Sequence, residues 1–181
     1  MRSFLFILAA VVPISLFSQE KTASVKALID LSEKLFDEKK YDSAHHYSQV
    51  AYDQATQKTN DSLRVITLLQ RVITSSEIDM GVSDSLYTIT EDLAKSSKNR
   101  ELLARTYFIK GRILYRAKEH GLAQPYLLKV DSLASRYGFL SATVIRAILA
   151  RSEISRTTFT YEGVEKASDL QEQALVLAKC Y

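Results

Sequence analysis

The chain has 181 residues, 24 Lys and Arg against 21 Asp and Glu, and a formal net charge of +3 at pH 7. The charges are interspersed, so no basic run offers the electrostatic footprint of a nucleic-acid patch. One cysteine, Cys180, excludes an internal disulfide framework, and glycines only at 81, 111, 121, 138 and 163 leave little turn chemistry for β-hairpins or βα loops.

Residues 1–18 read as a secretory signal peptide. Arg2 gives a positive start, Phe4 to Leu16 is apolar, and small residues near Ser18 precede the polar Gln19-Glu20-Lys21. The apolar run is shorter than the roughly 17–25 residues of a spanning helix, and Pro13 interrupts it. Cleavage is expected after Ser18, leaving a mature domain over 19–181 that is exported to the periplasm or cell envelope.

Beyond that point apolar residues recur at three- and four-residue spacing, as in Leu28, Leu31, Leu35 and in Leu63, Ile66, Leu69, Ile73. The fold class expected is all-α, with about eight helices. The first runs from near Ser24 to Asp37 and stops at Glu38-Lys39-Lys40. The second starts near Tyr41 and fades through Gln57-Lys58-Thr59. Asn60 or Asp61 supplies the capping oxygen of the third, and Gly81 follows its end. Ser83 or Asp84 is expected to cap the fourth helix, which ends near Asn99.

The fifth helix spans about Arg100 to Ala117. The sixth begins near Gly121 and ends at Tyr137, with Gly138 as its cap and Phe139 packing back. Pro125 is expected in its first turn, where the missing N–H costs nothing. The seventh covers about Ser141 to Thr157, and Thr160 or Tyr161 opens the eighth, Glu162 to Cys180. Short connections make neighbours antiparallel, so the helices pair into four hairpins.

The stretch from Ala104 to Leu133 places Tyr107, Gly111 and Leu114 on one helix and Ala123 and Leu127 on the next. This pattern resembles a tetratricopeptide repeat, with bulky and small residues alternating so that the two helices approach closely. The first hairpin carries a similar set in Leu28, Ser32, Leu35, Tyr41, Ala44 and Ala51, and the fourth keeps Ala167 and Ala174. The second is poorer, with Leu86 and Thr74 at small positions. The landmarks Ala44, Leu86, Ala123 and Ala167 lie 42, 37 and 44 residues apart, longer than the 34-residue standard unit. The bland alternative is an irregular helical bundle.

No motif carries catalysis. His45 and His46 are adjacent on a helix, point about 100° apart and do not form a metal pair; they read as a solvated face, and His120 as a surface residue. No serine sits in a nucleophile elbow, and no glycine-rich phosphate loop exists. Neither a cofactor nor a metal is expected, and the chain does not read as an enzyme.

The resemblance implies a concave groove lined by the first helix of each hairpin. Counting from each repeat start, it assigns Arg71, Arg105, Phe108, Arg112, Tyr115, Arg116, Ser152, Arg156 and Phe159 to that face. The cluster is basic and aromatic, which suits carboxylates and extended contact. The competing reading is that these arginines keep the helices hydrated. The expected function is a non-enzymatic exported module that binds a peptide or helical segment of another protein, possible partners being acidic. The alternative is the periplasmic sensory region of a signalling receptor, such as a histidine kinase or transcriptional regulator. Leu170, Leu175 and Leu177 make the last helix apolar on much of its circumference, so a further hairpin or self-association there is expected.

Overall fold

The computed structural model describes residues 24–157 and 161–181. Residues 1–18, expected to be a signal peptide, together with Phe159 and Thr160, lie outside the described residues. Those residues form eight α-helices and no strand: α1 Val25–Asp37, α2 Tyr41–Thr56, α3 Asp61–Ser75, α4 Met80–Ser96, α5 Arg100–Arg116, α6 His120–Tyr137, α7 Ala142–Arg156 and α8 Tyr161–Cys180.

Short oxygen-bearing side chains start several of them, because the first-turn amides have no partner within the helix. Ser24 accepts from Ala27 N–H at 3.2 Å, Asn60 from Leu63 N–H at 3.0 Å and Asn99 from Leu102 N–H at 3.0 Å. Gly138 ends α6 in the left-handed conformation, and Phe139 packs back against the core.

Two boundaries differ from expectation. Helix α4 starts at Met80, not at Ser83 or Asp84, because Asp79 Oδ1 accepts from the N–H groups of both Gly81 and Val82. Gly81 therefore lies in a first turn and is no C-cap. Helix α6 starts at His120, which puts Pro125 in its second turn and removes one ladder bond, that to the Gly121 carbonyl. Gly121 is exposed, so this acceptor is not stranded in an apolar interior.

The hairpins share one close contact. Ser32 Oγ donates to the Ala44 carbonyl at 2.8 Å, and Ser152 Oγ to the Ala167 carbonyl at 3.0 Å. In the third hairpin Gly111 takes that place: a Cβ there would lie 3.4 Å from the Ala123 carbonyl oxygen. In the second the bond is reversed, Ser83 Oγ donating to the Val72 carbonyl at 2.9 Å. The anchors Ser32, Val72, Gly111 and Ser152 are separated by 40, 39 and 41 residues, a regular repeat of helical hairpins.

The turns repeat as well. Lys39 and Lys118 each stand seven residues past their anchor in the left-handed conformation, with φ of 61° and 62°. Lys39 and Lys40 N–H groups bond the Phe36 and Leu35 carbonyls; Lys118 and Glu119 bond those of Tyr115 and Leu114. Both are Schellman closures with lysine where glycine is usual.

Helices α1, α3, α5 and α7 touch one another in succession, whereas α2, α4, α6 and α8 do not touch among themselves. The first helices therefore occupy the inner arc of a solenoid, and its concave face is theirs. The main core runs through α3–α8, with Leu68, Val72, Leu127, Val130 and Ile148 buried. A smaller cluster, including Val25, Leu28 and Ala51, sits within the first hairpin. A buried polar seam joins the two: Gln70 Nε2 donates to Ser32 Oγ at 3.1 Å, and Ser48 and Thr74 hydroxyls meet at 3.1 Å.

At the far end, Ala167, Leu170 and Ala174 are buried, while Val164, Leu175 and Val176 are exposed. Leu170, expected on a self-association surface, is 8% exposed and belongs to the core. Leu177 is half-buried, so Leu175 alone of the three is exposed.

Candidate binding groove

The repeat register determines which side chains reach the concave face. Six residues before the anchors lie Arg105 and Arg146; one residue after them lie Glu33, Ile73 and Arg112. All five line one cavity of about 540 Å³. Phe36, Phe108 and Ile109 add apolar surface, and Gln70, Asn99 and Thr143 add hydrogen-bonding groups. Phe108 is 6% exposed, a fixed aromatic wall rather than a free ring. The cavity thus draws on α1, α3, α5 and α7 together.

Arg112 is the central charge. Burial disfavours its cationic form first, and the guanidinium groups of Arg116 and Arg146 repel it further, while Asp37 and Glu33 offset part of that cost. The guanidinium stays protonated at neutral pH all the same, since its free pKa lies far above. Among the described residues, Arg105, Arg112 and Arg146 form no ion pair and no side-chain hydrogen bond, unlike Arg64, Arg116 and Arg151. A half-buried cation with like charges beside it and no bonded anion is poised to accept a carboxylate.

Of the residues expected on this face, Arg105, Phe108 and Arg112 line the cavity. Arg116 sits at its margin, where Nη2 meets Glu77 Oε1 at 2.6 Å and the guanidinium covers the Phe36 ring at 5.4 Å. Tyr115 packs beside His120 with ring centroids 5.2 Å apart; burial and the neighbouring Glu153 carboxylate raise its pKa. Arg156 is exposed at the end of α7 and is not among the lining residues.

Arg71 stands one residue before its anchor and turns toward α2, its guanidinium over the Tyr52 ring at 5.0 Å. Lys110 and Arg151 occupy the same register position and pair with Asp84 and Asp131. These three cations reach back to the preceding outer helix and join successive hairpins. Ser152 is likewise inside its hairpin, not in the groove.

Arg146, Glu33 and Asp37 are groove residues that counting from repeat starts misses. In the fourth hairpin the anchor and its partner, Ser152 and Ala167, stand 15 residues apart, against 12 for Ser32 and Ala44. A longer connection shifts the apparent start, whereas taking the small residue itself as the reference selects Arg146.

His45 is not part of a solvated face. Its Nδ1 lies 3.3 Å from Ser75 Oγ and 3.4 Å from Thr74 Oγ1, at the polar seam. Among the described residues no His, Cys, Asp and Glu cluster could hold a metal ion, and no helix is long and apolar enough to cross a membrane. No family model matches the chain, and no curated protein or solved structure matches it either.

Proposed function

We propose that the chain is a non-enzymatic binding module of the tetratricopeptide-repeat type, which holds a peptide or helical segment of another protein against α1, α3, α5 and α7. The observation that carries this reading is the half-buried Arg112, flanked by Arg105 and Arg146, in a cavity walled by Phe108 and Ile73. Arginine forks recognise carboxylates, and rigid aromatic walls add contact area at low entropic cost. Export through residues 1–18 would place the partner in the cell envelope, and a mature amino terminus at Gln19 would support this.

A photoactivatable residue at Thr143, on the groove, tests the reading against one at Ser132, exposed on α6. Covalent capture of a protein from envelope extract at Thr143 alone supports it. Equal capture at both positions, or none at Thr143, counts against it.

A further inference from the structure

The charge of the groove is divided. Glu33 and Asp37 stand on the carboxyl-terminal half of α1, and Arg105, Arg112 and Arg146 on α5 and α7. Glu101 also lines the cavity, but it sits in the first turn of α5, where the helix dipole favours it. The acidic side has no such local explanation. Asp37 is the last residue of α1, where the dipole disfavours a carboxylate. Neither Glu33 nor Asp37 forms an ion pair among the described residues. Arg116, whose guanidinium covers the Phe36 ring, is committed to Glu77.

Two unpaired carboxylates of α1 therefore face three unpaired guanidinium groups of α5 and α7 across one cavity, with Arg112 in the field of both sides. A purely acidic ligand would satisfy the arginines but be repelled over α1. Charge complementarity is met by a ligand that carries both signs in separate blocks.

We infer that the groove selects a dipolar segment of another protein, with its acidic block on Arg105, Arg112 and Arg146 and its basic block over Glu33 and Asp37. This rests on the peptide-binding reading above and specifies its ligand. Three helix steps of about 8–10 Å each separate α1 from α7. At about 3.3 Å per extended residue, some eight residues cover that arc.

The test is fluorescence anisotropy with labelled octapeptides. One has Asp-Glu-Asp and Lys-Arg-Lys blocks at opposite ends, made in both orders. A second keeps the acids and has serine for the bases; a third keeps the bases and has serine for the acids. One order of the dipolar peptide should bind roughly tenfold more tightly than the acidic peptide, a factor small enough for two solvent-exposed ion pairs. The basic peptide should bind least. In the double variant Glu33→Gln, Asp37→Asn the dipolar advantage should vanish while the acidic peptide binds no worse.

An acidic peptide that binds as tightly as either dipolar order overturns the inference and leaves a simple anion groove, with peptide binding intact. If no octapeptide binds while Thr143 still captures a protein, the charge reading fails and the binding module survives. If neither occurs, both fail.

Discussion

Gly111 on α5 faces Leu127 on α6 so closely that a Cβ atom at position 111 would lie 2.8 Å from Leu127 Cδ2 and 2.9 Å from its Cγ. Leu127 is fully buried, so it has no free direction in which to yield. Gly111→Leu should therefore overpack the crossing and destabilise the fold by about 1–3 kcal/mol. Helix propensity opposes this by roughly 1 kcal/mol at most. Gly121→Ala is the contrast: nothing lies within 4 Å of the added methyl, so the change should be neutral or stabilising. Urea midpoints of the two variants should move in opposite directions or, at least, only the first should fall.

The left-handed lysines make a second test. Lys118 adopts φ of 62° in a turn where its side chain is exposed. A non-glycine residue there is strained by roughly 1–2 kcal/mol, and glycine gives back about 0.5–1 kcal/mol through its freer unfolded chain. Lys118→Gly should raise stability by up to about 1 kcal/mol. The same change at Lys39 should do likewise, and a loss of stability at both would contradict the shared Schellman closure.

His45 predicts a pH dependence. Burial disfavours its cation first and Arg71 repels it, with a smaller repulsion from His46; Asp42 opposes them, and the net effect lowers the pKa below the ordinary 6.5. The other groups facing it, the Thr74 and Ser75 hydroxyls, carry no charge. Because the unfolded state binds the proton more readily, this contribution to stability is complete above the unfolded pKa and lost as pH falls toward the folded one. The urea midpoint should therefore decline as the pH falls below about 7. His45→Gln should flatten part of that slope, and an unchanged slope would remove His45 as its source.

The register of α8 is testable through two leucines. Leu170 is 8% exposed and Leu175 is 59% exposed. Leu170→Ala should destabilise by about 2–5 kcal/mol, whereas Leu175→Ala should stay within roughly 0.5 kcal/mol. Thermal unfolding of both variants distinguishes them, and similar losses would mean that α8 is rotated.

Helix count, hairpin pairing and most boundaries were legible because they depend on local chemistry: the Asn60 cap, the Gly138 stop, the three- and four-residue apolar spacing. What stayed hidden depends on contacts between helices. Ser83 looked like a cap until its hydroxyl found the Val72 carbonyl across the hairpin. Arg71 read as a groove residue, although it stacks on Tyr52 of the preceding hairpin. His45 read as hydrated because nothing near it in sequence shows that Thr74 and Ser75 close over it. The groove was partly legible: Arg105, Phe108 and Arg112 came from the best-matched hairpin. Arg146 did not, since a longer link in the fourth hairpin obscured its register.

We propose that the concave face of the first helices is the working surface. Its most direct test is the affinity of the tighter dipolar octapeptide for wild type, Arg112→Ala and Arg64→Ala. Arg64 pairs with Asp61 outside the cavity at 3.2 Å and serves as the charge-matched control. Arg112→Ala should weaken binding by roughly tenfold, the loss of one charge-assisted bond, with Arg64→Ala unchanged. Equal affinities for wild type and both variants would contradict it and return these arginines to the hydrated surface.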